Sequence, residues 1–174
     1  CMILLTILNL CSYFYVKDRD DKVILDNRYN SPVRAISSQT ATIMNKLLRN
    51  VVVGSEGTGR GANIDNWNIV GKTGTTNDDH DSWFIGVSPY AVSGIWVGYD
   101  NPKRISEVSA AVRIWKHIMS SYLNDKPNKD FDYDPNVLEM TYCKSTGETA
   151  NSSCPDTAIG YYANNNIPRA CYLH

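Results

Sequence analysis

The sequence predicts an α+β fold, an antiparallel β-sheet packed against helices, followed by a Cys-containing C-terminal tail. Three observations predict it. Strand-like runs at about 67–75, 82–88 and 92–99 follow one another through short connections, which antiparallel neighbours allow and parallel ones do not. Apolar residues recur at helical spacing in 37–52 and 106–123, on either side of those runs. Cys143, Cys154 and Cys171 crowd the C-terminal end. A chain of 174 residues that is 43% apolar can build one domain with a real core, and 11 Tyr with Asn-rich turns suit a β-rich protein. A net charge of −1 gives no electrostatic case for nucleic acid or for an anionic membrane surface.

In chain order, residues 2–10 are apolar but too short to span a bilayer. They lack the basic flank and cleavage site of a signal peptide, so they read as a buried strand or helix, or an edge. Residues 12–17 and 22–25, separated by Asp18-Arg19-Asp20-Asp21, read as a β-hairpin with a charged turn. The Asp-x-Asp there lacks the Gly and distal Glu of an EF-hand. Ser37-Ser38-Gln39-Thr40 offers N-cap hydroxyls for a helix to about residue 52, with Ile36, Ile43, Met44, Leu47 and Leu48 at core-facing spacing; Gly54 stops it. A flexible Gly-rich loop, 54–61, then crosses the surface.

In the three strands, Trp67, Ile69, Trp83, Ile85, Val87, Ile95 and Val97 are expected to turn one face toward the helices. Asp79, His80 and Asp81 fall in a hairpin turn and read as solvated rather than as a metal or relay site, and His117 and His174 make no demonstrable triad. The second helix, Ser106-Glu107-Val108 to about Leu123, carries the stripe Val108, Ala111, Val112, Trp115, Ile118, Met119 and Tyr122. Residues 124–135 change to Asn, Lys, Asp and Pro and read as a linker, and 137–142 as a strand opening the tail, 136–174. There is no internal repeat.

The stretch richest in chemistry is Gly71-Lys72-Thr73-Gly74-Thr75-Thr76-Asn77-Asp78. In an extended chain Thr73 and Thr75 share a face, and Gly74 between them carries no Cβ to block a ligand lying along the backbone. Two hydroxyls, an ammonium and open backbone groups make a cradle for an anionic, peptide-like ligand. A P-loop is disfavoured because Asn66 stands where its first Gly belongs, and turn residues, not a helix, follow Lys72. The plain alternative is an ordinary edge segment, since Thr favours strands and Gly marks bulges.

The run from Gly71 through Asp81-Ser82-Trp83-Phe84-Ile85-Gly86, followed by Ser93-Gly94-Ile95-Trp96-Val97-Gly98-Tyr99-Asp100-Asn101, resembles the transpeptidase domain of class A (bifunctional) penicillin-binding proteins. The likeness covers roughly residues 17 to 123, with Lys72-Thr73-Gly74 as the signature that accompanies Ser-x-x-Lys and Ser-x-Asn in that family. It implies D,D-transpeptidation of peptidoglycan stem peptides ending in D-Ala-D-Ala, with β-lactams entering the same cradle and no cofactor or metal. Lys72 and Thr75 are the implied catalytic residues, with Thr73, Gly74 and Thr75 binding the substrate. Lys72 would hold positive charge near the nucleophile's proton network, and the Thr75 N–H would form half of an oxyanion hole.

No Ser in the chain is followed three positions later by Lys, or two positions later by Asn. The expectation is therefore that 1–123 form the C-terminal portion of a transpeptidase domain, extracytoplasmic and anchored through an upstream segment, and inactive without its upstream part. The alternatives are a non-enzymatic remnant that binds wall peptides, and a small secreted disulfide or zinc module.

Spacing leaves the Cys pairing open, and an odd count of 5 leaves one thiol over. Outside the cytoplasm, as the resemblance implies, Cys143–Cys154 is the simplest disulfide. Cys143, Cys154, Cys171 and His174 are the competing reading, a tetrahedral metal set. Asn151-Ser152-Ser153 matches a glycosylation sequon, a coincidence given the bacterial resemblance.

Overall fold

The computed structural model describes residues 6–7, 14–26, 28 and 33–174. β1 (Thr6–Ile7), β2 (Tyr15–Lys17), β3 (Val23–Asp26) and β4 (Val33–Arg34) make two small antiparallel pairs, β1 with β4 and β2 with β3. The charged turn closes on Asp18, whose carboxylate accepts from Asp20 N at 2.9 Å and Lys22 N at 3.0 Å. Asp21 sits there at φ 64, a left-handed conformation that Asp tolerates. The predicted hairpin is present, although residues 12 and 13 and most of 2–10 lie outside the described residues.

Helix α1 (Ser38–Val53) starts where its cap dictates: Thr40 N donates to the Ser37 hydroxyl at 3.1 Å, and the helix ends at Gly54. Its buried face is only partly the predicted one, Leu48 packing against the cluster of Val70, Val87 and Phe131. Ala41, Thr42, Asn45 and Val52 turn inward, while Met44 and Leu47 are exposed. Smaller side chains let the helix approach the sheet, and the Thr42 hydroxyl is used inward, accepting from Asp134 N at 2.8 Å.

β5 (Val70–Thr75), β6 (Ser82–Val87) and β7 (Val92–Val97) form the predicted antiparallel meander in the order β5-β6-β7. β5 begins three residues later than expected, because Asn66 adopts φ 64 and Trp67 N closes a turn on Ile64 O at 3.1 Å. Phe84 stands opposite Thr73 and Ile95, and Gly86 opposite Gly71 and Ser93. Helix α2 (Ala110–Leu123) covers that face, with the Trp115 ring edge-on to Phe84 at 5.2 Å and its Nε1–H donating to Ser93 O at 3.1 Å. The main core joins Val52, Ala62, Ile69, Phe84, Ala111, Val112, Trp115, Met119 and Leu123.

Two expectations about faces are corrected. Trp83 and Ile85 are 45% and 51% exposed, because a strand presents alternate residues to one side and Phe84 takes the inward parity. On α2 the inner stripe is Ala111, Val112, Trp115, Met119 and Leu123; Val108, Ile118 and Tyr122 are exposed.

On the other face of the sheet Val70 and Val87 meet Phe131, so the stretch read as a linker carries an aromatic anchor into a second, smaller cluster. Beyond it β8 (Val137–Cys143) and β9 (Thr157–Ala163) form an antiparallel hairpin. The hairpin lies against α1, whose Lys46 ammonium sits over the Tyr133 and Tyr161 rings at 4.6 and 5.6 Å. The architecture is α+β, as predicted. Among the described residues no helix is long and apolar enough to cross a membrane.

Candidate functional site

Among the described residues β5 is an edge strand, and its hydrogen-bond phase decides what it offers. Thr76 N donates across the turn to Asp81 O. In an antiparallel ladder, residues alternate between facing the partner and facing away, so Gly74, Lys72 and Val70 bond to β6 while Gly71, Thr73 and Thr75 turn N–H and C=O outward. Two side chains already use that edge: Arg49 Nη1 donates to Ile69 O at 2.9 Å, and Lys72 Nζ to Thr73 O at 2.8 Å. An edge of this kind is a template for an extended peptide.

Of the residues singled out from sequence, Lys72 and Thr75 are exposed, and Thr73 and Gly74 are half-buried. Lys72 and Gly74 lie on the face that also carries Ile85 and Trp83, their cross-strand partners; Thr73 and Thr75 lie on the Phe84 and Ser82 face. By curling onto Thr73 O, the Lys72 ammonium reaches the same edge as the outward backbone groups of Thr73 and Thr75. A Cβ at Gly74 would lie 3.2 Å from the Trp83 Cβ, so the absence of a side chain also relieves the sheet.

The Gly-rich loop does more than cross the surface. Gly59 N donates to Val51 O at 2.9 Å, folding the loop back on the end of α1, and a Cβ at Gly57 would stand 2.5 Å from that same carbonyl oxygen. The fold brings the Thr58 hydroxyl to 2.7 Å from that of Thr73. The end of α1, loop residues 54–58 and Lys72 line a solvent-open cavity of about 430 Å³ beside the edge. Thr58 and Arg49 were missed from sequence; only the folded loop and the helix packing reveal them.

The turn after β5 is structural. The Asp81 carboxylate accepts from Trp96 Nε1 at 2.8 Å and from the Thr76 hydroxyl at 3.1 Å, tying the end of β5 to β7. Asp79 pairs with Arg104 at 2.9 Å and accepts Ile105 N at 2.8 Å. Farther away, burial raises the Tyr133 phenol. The Ser38 hydroxyl and then the Asn136 amide hold the Asp134 carboxyl below its ordinary value.

The tail departs from the disulfide expectation. Cys143, Cys154 and Cys171 are free thiols, and no Cys143–Cys154 bridge is formed. Cys171 N donates to Thr149 O at 2.8 Å, and Cys171 and His174 lie beside Cys143 and Cys154. These four side chains are the ones among the described residues that could hold a metal.

The sequence matches the family model of the penicillin binding protein transpeptidase domain over residues 13–120. Penicillin-binding protein 1A of Clostridium tetani is 35% identical over 173 residues, covering 93% of this chain and 22% of that protein. Penicillin-binding protein 1A of Pseudomonas aeruginosa is 33% identical over 140 residues, covering 78% of this chain and 17% of that one. The crystal structure of Penicillin-Binding Protein 1A from Haemophilus influenzae superposes with a TM-score of 0.65 at 25% identity, over 82% of this chain and 23% of its own. The chain thus spans about a fifth of the length of the curated relatives it matches. Since the matched residues take in α1, the three-stranded sheet and Lys72-Thr73-Gly74-Thr75, the chain belongs to the penicillin-binding protein transpeptidase domain family.

Proposed function

We propose that this chain supplies the substrate-binding strand, and half of the oxyanion hole, of a peptidoglycan D,D-transpeptidase. The observation that carries the reading is the phase of β5, whose free edge presents the backbone of Thr73 and Thr75 with the Lys72 ammonium curled onto it. A stem peptide ending in D-Ala-D-Ala would add as a short strand along that edge, its carboxylate received by Lys72 and by the Thr73 and Thr75 hydroxyls. The Thr75 N–H would meet the oxygen of the scissile carbonyl as negative charge develops there, and losing one such donor costs about 3 kcal/mol in the transition state. A compact, flexible ammonium that can swing between acceptors suits Lys72 better than a rigid guanidinium would.

In this reading the nucleophilic Ser, its base and the proton relay come from the upstream part of the same protein, since the chain has no Ser-x-x-Lys and no Ser-x-Asn. Residues 1–123 are then the C-terminal portion of the transpeptidase domain, 124–135 the connection, and 136–174 a Cys-containing tail. An apolar surface supports the need for a partner: Trp83, Ile85, Val92 and Trp96 are each about half exposed on one face of the sheet, and among the described residues no strand pairs with the outer edge of β7. The assembled protein would work outside the cytoplasm, held to the membrane by an upstream anchor, with β-lactams as competing ligands.

The test is acylation by a labelled penicillin. The chain alone should take no label, and the chain joined to an upstream half bearing both Ser motifs should label at the upstream Ser. Labelling that is insensitive to replacing Thr75 and Lys72 in the joined protein would sink the proposal.

A further inference from the structure

The tail from Val137 onward has almost no apolar interior of its own. Among its described residues only Cys143 and Cys171 are buried, while Leu138, Ile159, Ile167, Tyr172 and Leu173 are exposed. A two-stranded hairpin of this kind is marginal without a further brace. What converges at its end is Cys143, Cys154, Cys171 and His174, whose sulfur and ring-nitrogen atoms all lie within 4.8 Å of one another. His174 Nδ1 stands 3.6 Å from Cys143 Sγ and 3.5 Å from Cys171 Sγ. Tetrahedral zinc, with Zn–S of about 2.3 Å and Zn–N of about 2.1 Å, requires S···N separations of about 3.6 Å. A disulfide would instead need two of the sulfurs about 2 Å apart. We infer that Cys143, Cys154, Cys171 and His174 form a structural zinc site.

Separate backbone segments present the ligands. Cys143 ends β8 at a turn in which Gly147, at φ +76, donates to Cys143 O at 2.7 Å, and Cys143 N donates to Glu148 O at 2.8 Å. Asn151 N donates to Cys154 Sγ at 3.4 Å and the Thr146 hydroxyl to Cys171 Sγ at 3.5 Å, and such donors aimed at sulfur favour thiolate ligands. The Asn151 side-chain amide holds Cys171 O at 3.2 Å and His174 O at 2.8 Å, fixing the Cys-x-x-His turn. On binding Zn²⁺ the three thiols release their protons to solvent, leaving a closed four-ligand shell without an open position for water. The site is therefore structural rather than catalytic, and it does not depend on the role proposed for β5.

The experiment uses the full chain, reduced, loaded with Zn²⁺ or Co²⁺ and gel-filtered. About one metal per chain should remain, with Co²⁺ giving the intense visible bands of tetrahedral thiolate coordination. Alkylation with peptide mapping should show metal protecting Cys143, Cys154 and Cys171, and EDTA exposing them. Cys171→Ser and His174→Ala should lose the tetrahedral spectrum, and the Cys1→Ser, Cys11→Ser double variant should keep it. The wild-type measurements decide the matter even where a tail variant unfolds. The inference is overturned by no retained metal, an octahedral cobalt spectrum, a spectrum unchanged in Cys171→Ser, or a Cys143–Cys154 disulfide in chain purified without reductant.

Discussion

The hydroxyls of Thr58 and Thr73 stand 2.7 Å apart, joining the Gly-rich loop to the strand that carries the candidate site. The contact fixes the side chain of Thr73 at the edge where a substrate carboxylate would bind. Thr58→Val keeps the shape and removes the hydrogen bond, a loss of about 1 kcal/mol. In the protein joined to its upstream half, penicillin acylation should slow by about fivefold, and Thr58→Ser should restore it. An unchanged rate in Thr58→Val would make the loop irrelevant to the site.

Gly86 illustrates how closely the sheet and α2 are fitted. A Cβ there would stand 2.3 Å from Trp115 Cε2 and 2.7 Å from Phe84 Cε1, both in rings packed in the core. Gly86→Ala should cost about 1–3 kcal/mol and lower the thermal midpoint by several degrees. Gly94→Ala is the control, since its nearest non-neighbour atom is Ile85 Cγ1 at 3.6 Å and φ there is ordinary. Calorimetry of the two variants separates the cases.

How far the sequence reveals the fold depends on whether a signal is local. The Ser37 cap, the order of β5, β6 and β7, and the Lys72-Thr73-Gly74-Thr75 run were legible because each is encoded within a few residues. The inward face of β6 was not, since Trp83 and Ile85 are as apolar as Phe84, and only cross-strand register shows Gly71 and Gly86 clearing space for the Phe84 and Trp115 rings. α1 failed in the same way: Met44 and Leu47 look like core, but Ala41, Thr42 and Asn45 fit the surface they meet. Thr58 reaches Thr73 across 15 positions, a separation at which periodicity carries no information, whereas Cys143, Cys154, Cys171 and His174 could be grouped from sequence by ligand chemistry alone.

Asp134 yields a pH prediction whose sign follows from its partners. The Ser38 hydroxyl and the Asn136 amide favour the ionised carboxylate, and the carboxylate lies at the N-terminus of α1, where negative charge is favoured. Its folded pKa is therefore below the ordinary 3.8. The contribution to stability is fully present above that ordinary value and is lost as pH falls through the lowered one. NMR titration should find Asp134 below 3.8, and Ser38→Ala should move it back up. A titration at or above the ordinary value would show that the docking of this segment on α1 is not electrostatic.

Lys72 separates a binding role from a structural one. Its side chain is exposed and its ammonium bonds only to a neighbouring carbonyl among the contacts described, so Lys72→Met should leave the thermal midpoint of the chain nearly unchanged. In the joined, active protein the same change removes a charged partner of the substrate carboxylate, a loss of about 1.5–3 kcal/mol, and should slow penicillin acylation by about ten- to a hundredfold. Lys72→Arg keeps the charge but replaces a compact, flexible ammonium with a rigid guanidinium. If Lys72 serves only as a positive charge, Arg should recover most of the rate. If it also serves the proton network, Arg should retain binding of a non-reactive stem-peptide analogue while acylation stays low. A full rate in Lys72→Met would leave the ammonium with no part in the reaction.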